Sequence, residues 1–198
     1  MLKEDLLTGL ILAYLIAGFL IPTLINTGIY HKFPPIYVYV FLFAIFPILA
    51  LIGLTIASFL GKKIHILWQF SKFALVGVLN TAIDFGILNI LVYLTGITKG
   101  PTTLLMDAIA FSTAVINSYY WNRKWVFHDA KKGDFITFVA VTLIGLSINA
   151  SIVFVVSTFV QPRLGASGAQ WINVAKVAAT AISLFWNFTG YKVIVFKR

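Results

Sequence analysis

The 198-residue chain carries 15 Lys plus Arg against 6 Asp plus Glu, a formal net charge of +9, with 60% of its residues apolar and 11% charged. A soluble domain is nearer half apolar and a quarter charged, so this composition and a mean hydropathy of +0.96 argue against a water-soluble enzyme. The absence of cysteine removes disulfides, thiolate metal sites and cysteine nucleophiles together.

Six apolar runs succeed one another in chain order: residues 6–25, 36–59, 73–94, 103–121, 136–160 and 169–191. A helix needs about 20 apolar residues to cross a hydrocarbon core, so six spans fit with little left over. The first run is too long for a signal-peptide core and no small-residue cleavage site comes after it, so it reads as a span. His31, Lys32, Pro34 and Pro35 break the first run from the second, and Gly61, Lys62 and Lys63 close the second. Lys99, Gly100 and Pro101 separate the third from the fourth, and Gln161, Pro162 and Arg163 open the last connection. Barrel strands would be shorter and alternate in polarity; these runs are helical. Pro22 and Pro47 sit inside runs, where proline can kink a helix.

Basic residues orient the spans. Lys3, Lys62, Lys63, Lys72, Arg123, Lys124, Lys131, Lys132, Lys192, Lys197 and Arg198 lie on one set of flanks, whereas Lys32, Lys99 and Arg163 lie on the other. Cytoplasmic loops are enriched in Lys and Arg, which places both termini in the cytoplasm. The bases hug span ends and form no separate domain, so the charge predicts attraction to anionic membrane lipids and not to nucleic acid.

The last two-thirds of the sequence contain a duplication. Phe70–Phe73 matches Phe135–Phe138 at an offset of 65, which sets Asp84 on Asn149. Residues 118–127 match 187–196 at an offset of 69, which sets Asn122 on Tyr191 and Arg123 on Lys192. The expected fold is therefore an all-α polytopic membrane protein with six transmembrane helices. The last four form two parallel helical-hairpin repeats, related by a pseudo-twofold axis along the membrane normal, and both termini are cytoplasmic. Residues 1–66 form an N-terminal helical pair, and 67–198 a four-helix module.

The repeat also pairs two intramembrane charges, because Asp107 falls on Lys176 at the offset of 69. An Asp–Lys pair offsets a burial cost of about 2.5–3.5 kcal/mol for either charge alone at the bilayer centre. Helical spacing puts Thr180, Ser183 and Asn187 on the face of Lys176, and Asn80 one turn from Asp84. Such groups either tie helices together or line a polar headgroup path.

At these residues the chain resembles the GtrA-like family of small membrane proteins. The marks are Phe70-x-x-Phe73-x-x-Val76-Gly77-x-x-Asn80-Thr81-x-x-Asp84, then Asn122-Arg123-x-Trp125-Val126-Phe127. Ala175-Lys176 and Asn187-Phe188-x-x-Tyr191-Lys192-x-Ile194-Val195-Phe196 complete them. The resemblance implies a four-span module that moves polyprenyl-phosphate-linked sugars across the cytoplasmic membrane for surface-glycan synthesis or modification. It also implies a kinship with modules attached to polyprenyl-phosphate glycosyltransferases. Two departures stand out: the first 60 or so residues add a helical pair, and Tyr191-Lys192 replaces the expected Asn-Arg.

Moving such a lipid requires cations for the phosphate and amides or hydroxyls for the sugar. Arg123, Lys124 and Lys192 at span ends are the expected phosphate contacts, with Lys176 as a deeper acceptor once Asp107 releases it. Asp84, Asn80, Asp107, Asn122, Asn187, Tyr191, Ser183 and Thr180 are the expected sugar or polar-path residues. Trp121 and Trp125 stack on a sugar ring or serve as interfacial anchors. No nucleotide-binding loop, metal cluster or Ser-His-Asp spacing is present, and the longest cytoplasmic loop is about a dozen residues, so neither an enzyme nor a cofactor is expected. The rival reading is a non-transporting subunit that anchors or positions a glycosyltransferase partner. A third is a proton- or cation-coupled transporter using Asp84. Association with a second copy of the chain stays open.

Overall fold

The computed structural model describes residues 2–97, 101–130, 133–161 and 168–196. Six long helices account for most of these described residues. They are α1 (Leu2–Asn26), α2 (Pro35–Gly61), α3 (His65–Thr95), α4 (Pro101–Trp121), α5 (Phe135–Phe159) and α6 (Gly168–Gly190). Among the described residues, α1, α2 and α3 are long and apolar enough to cross a membrane. The chain is an all-helical membrane protein.

Local chemistry sets where the helices stop and bend. Gly96 ends α3 in the left-handed region at φ 69°, where its N–H reaches the Val92 carbonyl at 2.8 Å. That conformation strains any residue with a Cβ. Asp134 caps α5 by accepting from the Thr137 amide at 2.7 Å and from the Thr137 hydroxyl. Inside α2, the turn Phe41–Ile45 widens to a π turn immediately before Pro47. The proline ring cannot sit under the Phe43 carbonyl, and the widened turn removes that clash. Pro22, by contrast, lies within an unbroken α1.

The chain divides into two compact units, Met1–His128 and Asp129–Arg198. In the first, α1 packs against α2 and α3, and α3 also packs against α2 and α4. Lipid is as apolar as the side chains, so close backbone approach has to hold such helices together. Small residues provide it: Ala13 and Ala17 are fully buried beside Leu12 and Ile16. A Cβ on Gly86 would strike the Phe19 carbonyl oxygen. Ile48, Leu49, Ile52, Ile56 and Phe59 of α2 are all exposed, as a lipid-facing surface requires.

At 31 residues α3 is about 46 Å long, well beyond a hydrocarbon core of about 30 Å. The expected third span starts at residue 73, eight residues after the helix does. In these added turns Gln69 and Lys72 are buried and bonded to the turn that follows α4. In the second unit, α5 and α6 pack along their length as an antiparallel hairpin.

Candidate functional site

The two hairpins, α3–α4 and α5–α6, each end in a π turn: Asn122–Val126 after α4, and Tyr191–Val195 after α6. In both, the closing bond spans five residues at 2.7 Å, from the Phe127 N–H to the Asn122 carbonyl and from the Phe196 N–H to the Tyr191 carbonyl. A π turn adds a residue to the helical circuit and shifts the register of the residues beyond it. In the first turn Arg123 and Lys124 are exposed, whereas Trp125, Val126 and Phe127 are consecutively buried.

A helix C-terminus leaves carbonyls without intrahelical donors, and here α3 supplies donors for two of them. Lys72 Nζ donates to the Trp125 carbonyl and Gln69 Nε2 to the Val126 carbonyl, both at 3.1 Å. Lys72 is only 3% exposed. Its charge is balanced by Asp5 Oδ1 at 3.6 Å, and its ammonium lies 5.3 Å and 5.7 Å from the ring centres of Trp68 and Trp125. Trp125 in turn donates its indole N–H to Asp5 Oδ1 at 2.8 Å. Trp125 is therefore buried inside the protein, open neither for sugar stacking nor for the interfacial anchoring that was the alternative to it. Arg123 stays outside, donating to the Tyr119 hydroxyl at 2.8 Å with its guanidinium 5.9 Å from that ring's centre.

From this turn a polar series enters the first hairpin. Asn122 donates to the Ser118 carbonyl at 2.8 Å and to the Ser118 hydroxyl at 3.2 Å. The residue is fully buried, and its Oδ1 has no donor. About one turn deeper, Asn117 Nδ2 donates to Asn80 Oδ1 at 2.8 Å and joins α4 to α3. Asp84 lies half-buried one turn beyond Asn80.

The second hairpin uses different chemistry. Tyr191 is buried, its hydroxyl 2.6 Å from the Thr142 hydroxyl and its ring stacked on Phe138 at 4.3 Å. Phe196 closes edge-on against both rings. Lys192 is part-exposed, with its ammonium 5.8 Å from the Phe188 ring centre. Asn187 and Ser183 both face α5. Asn187 Oδ1 lies against Gly145, where an added Cβ would collide with it, and has no donor. Ser183 Oγ accepts from Asn149 Nδ2 at 3.3 Å, and the Trp186 indole donates to the Val141 carbonyl at 3.1 Å.

The side chains of Asp107, Lys176 and Thr180 lie outside the described residues, and with them the expected Asp–Lys pair. No group of three His, Cys, Asp or Glu able to hold a metal occurs among the described residues. Asp5, Gln69, Lys72, Asn117 and Thr142 were not singled out as site residues by sequence reasoning. A usable signal existed for some: antiparallel hairpin helices pair residues equidistant from their turn. Asn80 lies 15 residues before the end of α3 and Asn117 lies 16 after the start of α4.

Paired polar side chains inside apolar helices, with bases at the helix ends, define a polytopic membrane protein built around helical hairpins. The chain belongs to the family described as GtrA/DPMS, transmembrane domain, which matches residues 72–196. A relative in Bacillus subtilis (strain 168), named as the uncharacterized membrane protein YngA, is 34% identical over 126 residues, covering 63% of this chain and 77% of the relative. No solved structure matches the chain.

Proposed function

We propose that this protein flips a polyprenyl-phosphate-linked sugar across the cytoplasmic membrane, for the synthesis or modification of a cell-surface glycan. On this reading it spans the membrane six times with both termini inside. An N-terminal pair (1–66) precedes a module (67–198) of two hairpin repeats. It transports without catalysing a reaction and without a cofactor.

One observation carries the reading: the first hairpin holds a polar series that starts at exposed cations and descends between apolar helices. Arg123 and Lys124 would take the phosphate, Arg123 through two parallel N–H donors. Asn122 offers a buried oxygen without a donor, suited to a sugar hydroxyl, and the Asn117–Asn80 pair and Asp84 continue inward. Lys192, Tyr191, Asn187 and Ser183 would play the parallel part in the second hairpin, with Lys176 and Thr180 deeper, and Asp107 would belong to the path of the first. The prenyl tail stays in lipid throughout.

Such a device can be passive. A headgroup with one negative charge leaving a negative interior gains about 2.3 kcal/mol per 100 mV if it crosses the full potential. Consumption of the sugar donor outside would pull further.

The test is scrambling of a polyprenyl-phosphate sugar in liposomes containing the purified protein, with Arg123→Ala and Lys176→Ala beside it. The expected result is transport by the wild type and its loss in folded variants. A wild type that moves no lipid but binds a polyprenyl-phosphate glycosyltransferase would replace this reading with an anchoring role. Transport that collapses with the proton gradient would favour a coupled transporter.

A further inference from the structure

The helix that contributes Asp5 lies outside the stretch that matches the family, which starts at residue 72. Its carboxylate nevertheless reaches two groups inside that stretch. Asp5 Oδ1 accepts the Trp125 indole N–H at 2.8 Å and faces Lys72 Nζ at 3.6 Å, and that ammonium donates to the carbonyl of the same Trp125 at 3.1 Å. The three residues close a ring in which both the side chain and the backbone of Trp125 are held. Asp5 and Lys72 are 13% and 4% exposed at their side chains, so the ring is shielded from water and from salt screening. Trp125 sits two residues from Arg123 and one from Lys124, within the π turn that presents both.

We infer that Asp5 is a positioning residue: through Lys72 and Trp125 it fixes the basic turn that meets the lipid phosphate. The inference rests on the flippase reading for its effect on transport, and on geometry alone for its effect on the turn. It gives the added N-terminal helix a task, since α1 supplies the anion that the buried Lys72 needs. Unlike Lys72, whose charge is balanced inside the protein, Arg123 and Lys124 remain exposed.

Asp5→Asn keeps an oxygen for the indole and removes the charge; Asp5→Glu keeps the charge. Limited trypsin cleavage of the full-length protein in detergent reads the turn at Arg123 and Lys124. Exposed Lys62 and Lys63, between α2 and α3, serve as an internal control. Loss of a charge-assisted contact should speed cleavage at the turn about tenfold in Asp5→Asn, with Asp5→Glu returning it to within about twofold of wild type. Cleavage at Lys62 and Lys63 should not change. In scrambling assays Asp5→Asn should raise the half-saturating concentration of polyprenyl-phosphate sugar and leave the maximal rate in place.

Unchanged cleavage at the turn would overturn the inference. Equal acceleration at Lys62 and Lys63 would also overturn it, because Asp5 would then be a general brace of the helices. A loosened turn in a protein whose wild type scrambles nothing would uphold the anchoring by Asp5 and sink the flippase reading alone.

Discussion

The two hairpins reach the same backbone geometry with different side chains. Both end in a π turn closed at 2.7 Å, with a cation one residue into the turn resting near an aromatic ring four residues earlier. In the first hairpin the helices are joined by amides and an ammonium: Asn117 to Asn80, Gln69 and Lys72 to turn carbonyls. In the second, Tyr191 stands where Asn122 stands and is held by Phe138, Phe196 and the Thr142 hydroxyl. Gly145 makes room for Asn187. Each hairpin keeps one buried amide oxygen without a donor, Asn122 Oδ1 and Asn187 Oδ1, but the aromatic turn carries one part-exposed cation and the polar turn two exposed ones. On the proposed reading, that difference in exposed cations makes the first hairpin the one that meets a headgroup.

The largest effect on stability should come from Lys72. Lys72→Met leaves the shielded Asp5 without its cation and the Trp125 carbonyl without its donor, so thermal unfolding in detergent should register a loss of about 3 kcal/mol. The position that the expected duplication sets on it is Thr137, whose replacement by Val should cost clearly less. Equal losses would erase the contrast between the hairpins.

Next comes the glycine contact. Gly145→Ala forces a methyl onto Asn187 and should destabilise by about 1–3 kcal/mol, as overpacking does. Adding Asn187→Ala should recover most of that loss. Without recovery, the close approach of α5 and α6 at this point would not be what limits the residue to glycine.

The Asn80–Asn117 hydrogen bond should be worth less. Interhelical hydrogen bonds in membranes average about 0.6 kcal/mol, so a double-mutant cycle with Asn80→Ala and Asn117→Ala should return a coupling of that order. A coupling near zero would mean that the amides are kept for a ligand and not for packing.

The smallest effect is at Asp134, which is fully exposed. Hydrogen bonds from the Thr137 hydroxyl and amide hold its carboxyl below its ordinary value. Its contribution to the start of α5 is therefore complete above the unfolded value of about 3.9 and is lost as pH falls through the lower folded one. Asp134→Asn keeps the cap and should flatten this acid-side dependence of thermal unfolding. An unchanged pH profile would show that the cap does not depend on charge.

Much of the fold could be read from hydropathy, because each of the six runs became a helix within a few residues of its expected ends. The exception is α3, which begins at His65 and not near Phe73. Its first turns mix Gln69, Ser71 and Lys72 with apolar residues, and hydropathy cannot register that Gln69 and Lys72 face the carbonyls of the turn after α4. For the same reason Lys72 read as one more basic flank. The turn residues Asn122, Arg123, Tyr191 and Lys192 were singled out through the expected duplication, and a π turn occurs at each of the two places. Partners across a hairpin, such as Asn117 for Asn80, needed a register that the duplication does not supply. The link from Asp5 to Trp125 crosses 120 positions of sequence and carries no local signal at all.

The most direct test compares Arg123→Ala with Lys192→Ala in liposomes, measuring the initial rate of polyprenyl-phosphate-sugar scrambling. A charge-assisted phosphate contact is worth about 1.5–3 kcal/mol, so Arg123→Ala should slow transport at least about tenfold. Lys192→Ala, in the aromatic turn, should slow it by a smaller factor. Equal losses, or a greater loss from Lys192→Ala, would contradict the claim that the first hairpin carries the headgroup chemistry.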